Sequence, residues 1–263
     1  MKKEIRKYYR VQANINLDAI YENVKNAKKL LKPGTKFMAI IKADGYGHGA
    51  VPLAETIDEL VDAYGIAILE EGVELRKAGM KKPMLILGYT APEQYPDMIR
   101  YEIATAVFTL EMAKEISKCA VEMGKNAKIH IKLDTGMSRI GFSISEESLE
   151  KIKEIAKLPG IQIEGCFSHF ARMDETDKTK AMEQFRKFQE FTQKMEAAGV
   201  SIPVKHISNS AGIMEAPEVH LDMVRDGICL YGLYPSEDVQ KERLPLIPAM
   251  EMKAYISYVK ELP

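Results

Sequence analysis

The sequence predicts an α/β protein folded as a closed (β/α)8 barrel of the TIM type, followed by only the first strand of a C-terminal β-domain. Eight short apolar runs, each typical of a buried strand, alternate with segments whose apolar residues recur at helical spacing. The length of 263 residues and the apolar share of 46% suit one large barrel domain or two small ones. An open doubly wound sheet would alternate similarly, but no G-x-G-x-x-G motif follows the first strand, which favours the barrel.

The individual elements follow from the apolar runs and from the residues that end them. After a short lead-in, Asn14–Leu17, apolar residues at helical spacing predict a first helix that Pro33 and Gly34 close. The eight predicted strands are Phe37–Lys42, Tyr64–Leu69, Met84–Leu87, Ala104–Phe108, Lys128–Leu133, Ile161–Phe167, Val204–Ser208 and Met223–Leu230. The helices predicted between them include Glu70–Ala78, Thr109–Met123, Glu146–Ala156 and Thr179–Ala198.

Two domains are predicted, a barrel over residues 1–245 and the start of a β-domain over residues 246–263. Ala249–Val259 alternates apolar and polar side chains, as a strand of an antiparallel sheet does. The chain stops at Pro263, before this second domain has enough strands to bury a face. We therefore expect a truncated domain, whose edge strand could pair with another copy of the chain.

Charge and cysteine content exclude several classes of function. The 37 Lys and Arg residues nearly balance the 38 Asp and Glu residues, and a net charge of -1 offers no basic surface for nucleic acid or an anionic membrane. Cys119, Cys166 and Cys229 are far apart in the sequence, so they predict neither a disulfide framework nor a thiolate metal site. These features fit a cytoplasmic protein that acts on a small molecule.

Membrane segments and metal motifs are not recognisable in the sequence. The basic start, Met1–Arg10, is not followed by an apolar signal region, and no apolar run is long enough to span a bilayer. The histidines are scattered, and there is no H-E-x-x-H motif, EF-hand loop or Cys/His cluster. We therefore predict no membrane insertion and no catalytic metal.

Lys42 is the residue around which the sequence is organised, because it ends a core strand and precedes a glycine-rich stretch. An unpaired ammonium is costly to bury, so a lysine at this place is unusual. In a mouth opened by glycines it could act as a nucleophile or base, for example by forming an imine. Tyr46 and His48 add polar groups at the same rim. The alternative is a solvated lysine before a flexible turn.

Further polar residues follow later strands, at the edge where a barrel gathers its chemistry. The loop Asp134–Gly141 contains Arg139, which suits a substrate carboxylate, although such loops are more often plain turns. His169 follows the sixth strand, where a lone histidine is more often a core residue than a catalyst. The pair Asn209-Ser210 could cap a helix or hold an anion at its start. Arg225 lies within an apolar strand and needs a partner inside the barrel.

The complete string Lys42-Ala43-Asp44-Gly45-Tyr46-Gly47-His48-Gly49 closely resembles the pyridoxal phosphate attachment signature of alanine racemases. Later segments are similar to further blocks of that family and follow in the same order, namely Asp134–Gly141, Ser168–Phe170, Asn209-Ser210 and Arg225–Ile228. The resemblance extends from about Asn14 to the end of the chain. It implies the same barrel fold and pyridoxal 5'-phosphate as the cofactor.

The resemblance also implies a role for each candidate residue. Lys42 would bind the cofactor covalently and act as the base on one face of the substrate. His169 would hydrogen-bond beneath the cofactor ring, and Arg225 would face its pyridine nitrogen. Arg139 would bind the substrate, and Lys132 matches a lysine that many members carry as a carbamate, which would steady Arg139. The remaining cofactor contacts would come from Tyr46, Asn209 and Ser210 and from the backbone N–H groups of Gly227 and Ile228.

The implied activity is the interconversion of L- and D-alanine, an isomerase reaction that supplies D-alanine for cell-wall peptidoglycan. Members of the family form homodimers, and their second acid/base group is a tyrosine from the partner's C-terminal β-domain. This tyrosine would lie beyond the end of the present chain, and Tyr258 is not assigned its role. Activity of the chain alone is therefore left open.

Three other functions stay open from the sequence. A barrel that binds pyridoxal phosphate without racemising, as in single-domain cofactor-homeostasis proteins, would lack the Lys42–Gly49 string. A serine racemase domain would share every block described above. A decarboxylase of the same barrel type is a weaker alternative, because it would carry an acid in place of Arg225.

Overall fold

The computed structural model describes residues 10–263, so residues 1–9 of the basic start lie outside the described residues. The strands are β1 Val11–Ile15, β2 Lys36–Ile40, β3 Ala63–Ile66, β4 Met84–Ile86, β5 Ala104–Val107, β6 Ala127–Asp134, β7 Phe142–Ser143, β8 Ile161–Phe167, β9 Lys205–His206, β10 Met223–Asp226 and β11 Met250–Ala254. The helices are α1 Leu17–Lys28, α2 Lys42–Gly47, α3 Ala50–Ile57, α4 Leu69–Lys77, α5 Tyr95–Arg100, α6 Leu110–Glu122, α7 Glu146–Ile155, α8 Thr179–Ala197 and α9 Ser210–Glu215.

Eight parallel strands form a nearly closed barrel in the order β10, β2, β3, β4, β5, β6, β8 and β9. The two ends of this order also meet, because Asp222 N donates to Lys205 O at 3.2 Å and Arg225 N donates to Ser208 O at 3.1 Å. The two-residue strand β7 pairs in parallel with the end of β6. The predicted fold class is confirmed.

Alternation along the strands separates two apolar layers. The inner layer, inside the barrel, consists of Met38, Ile40, Ala63, Leu85, Ala104, Ala106, Phe167 and Met223. The neighbouring positions on the same strands, such as Phe37 and Val224, belong to the larger core between the strands and the helices. The same alternation places His130, Lys132 and Arg225 inside the barrel, one position away from outward-facing apolar residues.

The helices follow the apolar periodicity of the sequence closely. The four helices predicted between strands agree within one residue at each end with α4, α6, α7 and α8. At the start of α1, the side chain of Asn16 accepts a hydrogen bond from Ala19 N at 3.0 Å and caps the helix. No helix within residues 10–263 is both long and apolar enough to cross a lipid bilayer.

Strand bounds differ from the prediction where an apolar run continues beyond the strand. The predicted strand Tyr64–Leu69 ends at Ile66, and its last residue is already the first residue of α4. The predicted strand Met223–Leu230 ends at Asp226, and the apolar residues after it form a 3-10 turn, Ile228–Tyr231. Residues of this turn are buried in the outer core, so their apolar character reflects packing outside the sheet.

The two ends of the described chain pair with each other. β1 and β11 form an antiparallel two-stranded sheet in which Val11 lies opposite Ala254. The lead-in predicted at Asn14–Leu17 is therefore wrong in its first half, which belongs to β1. The strand predicted within Ala249–Val259 is present, and within the chain it pairs with β1. The division into residues 1–245 and 246–263 stays a prediction.

Asn23 joins α1 to the segment that leads into β11. Its side chain is fully buried, its Nδ2 donates to Leu230 O at 3.2 Å and to Ile247 O at 2.8 Å, and its Oδ1 accepts from Ile247 N at 2.8 Å. Asn23→Ala would leave these buried backbone groups without partners. We expect urea unfolding to show a loss of about 3 kcal/mol in the free energy of unfolding.

Asn26→Ala is the matched control on the same helix. The side chain of Asn26 is only half-buried and accepts a solvent-exposed hydrogen bond from Lys29. Its replacement should change the free energy of unfolding by less than about 0.5 kcal/mol. Equal losses in the two variants would contradict the role given to Asn23.

Candidate active site

A cavity of about 370 Å³ opens at the carboxyl ends of the barrel strands. Loops that follow β2, β6, β8, β9 and β10 meet around it. Its lining does not include His48, but it includes every residue to which the family resemblance gives a role, namely Lys42, Tyr46, Lys132, Arg139, His169, Asn209, Ser210, Arg225, Gly227 and Ile228. The structure therefore brings the predicted residues together, while their individual roles stay predictions.

Lys42 does not end the strand. It is the first residue of α2, which is a left-handed turn and not a regular right-handed helix. β2 stops at Ile40, and residues 43–46 all have φ between 51° and 60°. For a residue other than glycine this conformation costs roughly 1–2 kcal/mol. The predicted strand Phe37–Lys42 was two residues too long, because the chain turns as soon as it leaves the sheet.

Hydrogen bonds from neighbouring segments hold this strained turn. Asp44 Oδ1 accepts from Ala50 N at 2.7 Å, which ties the turn to the start of α3. The two carboxylate oxygens of Glu71, on α4, accept from Ala43 N and from Ala67 N, each at 2.8 Å. Glu71 thus joins the loops after β2 and β3. Backbone strain that is held by such contacts is a common feature of functional sites.

The amine of Lys42 is left free by this arrangement. Its side chain is half-buried, and its Nζ lies 5.8 Å from the centre of the Tyr46 ring. Within residues 10–263 it forms no hydrogen bond or ion pair. A lysine held at a cavity mouth without a partner is available for covalent chemistry.

Arg225 lies on β10 with its guanidinium inside the barrel and 4% of its surface exposed. Nη2 donates to Ser168 O at 2.7 Å and to Ile207 O at 3.2 Å, while Nη1 lies 2.8 Å from His206 Nδ1. The partners that the sequence called for inside the barrel are therefore carbonyl groups and a histidine. Burial lowers the pKa of Arg225, to about 9, which leaves it protonated at neutral pH.

Two histidines continue the chain of hydrogen bonds through the barrel. Because arginine can only donate, His206 accepts at Nδ1 and carries its proton on Nε2. His206 Nε2 lies 3.0 Å from His130 Nδ1, so His130 also carries its proton on Nε2. Burial and the charge of Arg225 lower the pKa of both rings, that of His130 to about 3. His130 also lines a second cavity, of about 410 Å³, at the opposite mouth of the barrel.

His169 lies beside Arg225 at the edge of the candidate site. Its Nδ1 is 3.3 Å from Arg225 Nη2 and must also accept, since the guanidinium has no lone pair to offer. Burial, followed by the positive charges of Arg225 and Arg139, lowers the pKa of His169 to about 3. His169 is therefore a neutral ring that presents Nε2–H as its remaining donor.

Lys132 is a second lysine of the cavity and lies on β6. Only 2% of its surface is exposed, and Nζ donates to Leu133 O at 2.7 Å. Burial, followed by the charge of Arg225, lowers the pKa of Lys132 to about 8. A sizeable fraction of this amine is therefore neutral near physiological pH.

Arg139 lies exposed at the rim, on the loop after β6. Asp134 Oδ1 accepts from Gly136 N at 2.9 Å and from Ser138 N at 3.0 Å, which folds the loop on itself. Gly141 has a φ of 134°, and a Cβ there would lie 2.5 Å from Asp134 N. Only glycine lets the loop return this close to β6.

Tyr46, Ser210 and Gly227 surround a small polar recess at one side of the cavity. A Cβ on Gly227 would lie 3.5 Å from Tyr46 Oη and 3.9 Å from Ser210 Oγ, so the missing side chain keeps the recess open. Gly227 N donates to Ser210 Oγ at 3.0 Å. The helix cap considered for Ser210 is formed instead by Asn209, whose Oδ1 accepts from Gly212 N at 3.0 Å.

Comparison with known proteins identifies the family. The family model for the N-terminal domain of alanine racemase matches residues 15–235. The chain belongs to the alanine racemase family. The alanine racemase of Desulforamulus reducens is 46% identical over 253 residues, which are 96% of this chain and 68% of that protein. The alanine racemase of Methanococcus maripaludis is 45% identical over 254 residues, with the same two shares.

Solved structures of alanine racemases have the same fold. That of Clostridium difficile 630 superimposes with a TM-score of 0.93 and is 44% identical, covering 98% of this chain and 67% of that one. That of Bacillus anthracis with bound L-Ala-P has a TM-score of 0.89 and is 30% identical, covering 94% and 64%. The resemblance found in the sequence is thus confirmed, and the chain spans about two thirds of the length of these relatives.

Several residues that support the alanine racemase site were not assigned a role from the sequence. These are Glu71, His130, His206, Asp226 and Tyr231, whose hydroxyl donates to Ile40 O at 2.9 Å. For His130 a signal was present, because two polar residues at alternate positions of the apolar strand β6 face the same side. For Glu71 the sequence contains no such signal, because its hydrogen-bond partner Ala43 is on a different loop.

Within the described residues, no group of three or more His, Cys, Asp or Glu side chains is placed to hold a metal ion. Cys119, Cys166 and Cys229 are free thiols, of which the last two are buried. The prediction that catalysis uses no metal stays a prediction.

The buried histidines predict that stability falls as the pH is lowered. His130, His169, His206 and His220 have pKa values below their ordinary value when folded, so the unfolded chain binds more protons. Each should therefore lower the free energy of unfolding by up to about 1.4 kcal/mol per pH unit below about 6.5. Asp226 opposes this with one group, because burial raises its pKa to about 6 and the folded state binds its proton more tightly.

Urea unfolding between pH 5 and pH 8 measures this slope. His206→Asn is the matched variant, because an asparagine oxygen near the position of Nδ1 can still accept from Arg225 but the side chain does not titrate. Its slope should be flatter by about one proton, which is about 1.4 kcal/mol per pH unit. An unchanged slope in the variant would show that His206 does not carry the effect.

Proposed function

We propose that the chain is the pyridoxal phosphate-binding barrel of an alanine racemase that interconverts L- and D-alanine. The observation that carries the proposal is that a free lysine, a buried arginine and a polar recess share one cavity of about 370 Å³. Covalent attachment and a phosphate site are the two anchors that this cofactor needs in a protein. The names of the relatives support alanine as the substrate.

The residues present fit pyridoxal phosphate. The recess offers the hydroxyl groups of Tyr46 and Ser210 and the space left by Gly227, which suit a phosphate group. Asn209 positions Ser210 by capping the helix that starts there. The amide of Gly227 already donates to Ser210 Oγ, so its predicted bond to the phosphate requires that bond to break. Ile228 lines the same side of the cavity.

Lys42 would be the residue that removes the α-proton of the substrate. When bound, pyridoxal phosphate supplies an electron-withdrawing ring that accepts the charge left on the α-carbon of the amino acid. Lys42 would hold the cofactor covalently and, once displaced by the substrate amine, would take the α-proton on its Nζ. The strained turn fixes where this amine lies. His169 would donate from Nε2 beneath the ring, since its Nδ1 is engaged with Arg225.

Arg225 would keep the ring nitrogen of the cofactor unprotonated. Its guanidinium only donates, and it stays charged at neutral pH although burial lowers its pKa. A donor that keeps its proton makes the ring a weaker acceptor of charge than a carboxylic acid partner would. This is the property that disfavours a decarboxylase of the same barrel type.

Arg139 would bind the substrate carboxylate, and a carbamate on Lys132 would stabilise Arg139. Arg139 at the rim can bind a carboxylate with two parallel hydrogen bonds. The pKa of Lys132 is lowered to about 8, and the neutral amine is the form that reacts with carbon dioxide to give a carbamate. The negative charge of that carbamate would lie within electrostatic range of Arg139, whose charge already affects Lys132.

Racemisation also requires a second proton donor opposite Lys42. Among the described residues that line the cavity, the one tyrosine is Tyr46, which lies on the same turn as Lys42. We therefore propose that the second group is a tyrosine supplied by the partner in a homodimer, as the family resemblance implies. The same observation favours a second candidate function, in which the barrel binds pyridoxal phosphate without racemising its substrate.

Lys42→Ala should abolish covalent attachment of pyridoxal phosphate. After incubation with the cofactor and borohydride, peptide mass mapping of the wild-type chain should place the reduced cofactor on Lys42. Lys77→Ala, at an exposed position of α4, is the control and should label like the wild type. Undiminished labelling in Lys42→Ala would contradict the assignment.

Assays of alanine and serine racemisation, made on samples loaded with pyridoxal phosphate before borohydride is added, separate the candidate functions. Turnover of L-alanine by the loaded wild type supports the racemase, and this turnover should be lost completely in Lys42→Ala. Labelling without turnover is the result expected both for a racemase barrel that lacks the partner's tyrosine and for the cofactor-binding barrel. Preference for serine would identify a serine racemase.

A further inference from the structure

Asp226 is a buried carboxyl group that the chemistry proposed above does not use. It is the last residue of β10, its surface is fully buried, and alternation directs it away from Arg225 toward the outer face of the barrel. Its Oδ1 accepts from Ser210 Oγ at 2.7 Å. Its Oδ2 is buried and has no hydrogen-bond partner within the described residues. Such a group is costly, especially when it is charged.

The hydroxyl of Ser210 has one proton, so it cannot donate a hydrogen bond to Asp226 and to a phosphate at the same time. Ser210 has one proton, which it gives to Asp226, and its oxygen accepts from Gly227 N. To donate to a phosphate in the recess, Ser210 must turn this proton away from Asp226. The buried carboxylate would then lose its hydroxyl donor and lie beside a second negative charge, which strongly favours its neutral form.

We propose that Asp226 is a positioning residue for Ser210, and that binding of a phosphate ester in the recess is coupled to the uptake of one proton by Asp226. The proton comes from solvent and ends on the carboxyl group. The hydrogen bond between Asp226 and Ser210 then reverses its direction. The carboxyl group donates to Ser210 Oγ, and Ser210 donates to the phosphate. The inference rests on the proposed function in taking the phosphate of pyridoxal phosphate as the ligand.

The titratable groups around Asp226 carry no positive charge that could balance its carboxylate. Uptake of a proton is therefore the way in which the carboxylate is neutralised. The titratable groups that face it are Tyr46 from α2 and Cys229 and Tyr231 from the 3-10 turn after β10. Burial and the nearby carboxylate raise the pKa of each, so all three are uncharged near neutral pH. No cation acts on Asp226 among the described residues, and burial raises its pKa to about 6.

The test compares wild type with Asp226→Asn, which keeps the size of the side chain and both directions of its hydrogen bond with Ser210. Absorbance titrations give the Kd for pyridoxal phosphate, and for pyridoxal without the phosphate, between pH 5.5 and pH 8. The two proteins should bind pyridoxal phosphate equally at pH 5.5. At pH 8 the variant should bind it at least about tenfold more tightly, because each pH unit above the pKa of Asp226 costs the wild type up to tenfold.

Pyridoxal is the matched control, because it attaches to Lys42 but places nothing in the recess. Its affinity should be the same for both proteins at every pH. Titration of the phosphate and of Lys42 is common to both proteins and cancels in the ratio of their affinities. A ratio for pyridoxal phosphate that does not change with pH would overturn the coupling. Failure of pyridoxal to attach to Lys42 would instead overturn the proposed function.

An infrared difference spectrum of the wild type keeps the inference testable if Asp226→Asn does not fold. Binding of pyridoxal phosphate at pH 8 should produce the carbonyl band of a protonated, buried carboxyl group. Binding of pyridoxal should not produce it. Identical spectra for the two ligands in this region would overturn the proposal.

Discussion

The buried guanidinium of Arg225 is the constraint on which the interior of the barrel depends. Leaving such a charge without partners costs several kcal/mol, so the ends of neighbouring strands must present acceptors to it. The carbonyl group of Ser168, just after β8, the ring of His206, at the end of β9, and the carbonyl group of Ile207, just after β9, do so. Burial, together with this cation, lowers the pKa of the surrounding histidines, which therefore stay uncharged. The result is a cavity with a positive wall and neutral rings, which suits ligands that carry carboxylate and phosphate groups.

The fold could be predicted from the sequence because it follows from short-range patterns, and the membership of the site could be predicted because these patterns agree with the family resemblance. Alternating apolar runs predict the parallel barrel, and a parallel barrel brings the carboxyl ends of all its strands to one mouth. Lys42, His169 and Arg225, far apart in the sequence, therefore had to lie near one another. Whether they act as the family resemblance implies depends on chemistry that the pattern does not contain.

The features that could not be predicted depend on contacts between distant segments. The left-handed turn after β2 contains one glycine, at Gly45, and is held partly by Glu71 from another loop. The proton positions of His206 and His130 follow only once Arg225 is known to be their neighbour. The carboxylate of Asp226 looks like part of an ordinary strand end until the hydroxyl of Ser210 is found against it.

The pairing of β1 with β11 has a consequence for the order in which the molecule is made. Val11 cannot meet Ala254 until nearly the whole barrel has left the ribosome, so β1 waits with both edges open during synthesis. Contacts between such distant parts of a chain form slowly, because a long loop must close before they become favourable. The small sheet is therefore expected to form late, after the barrel residues between its two strands have been made.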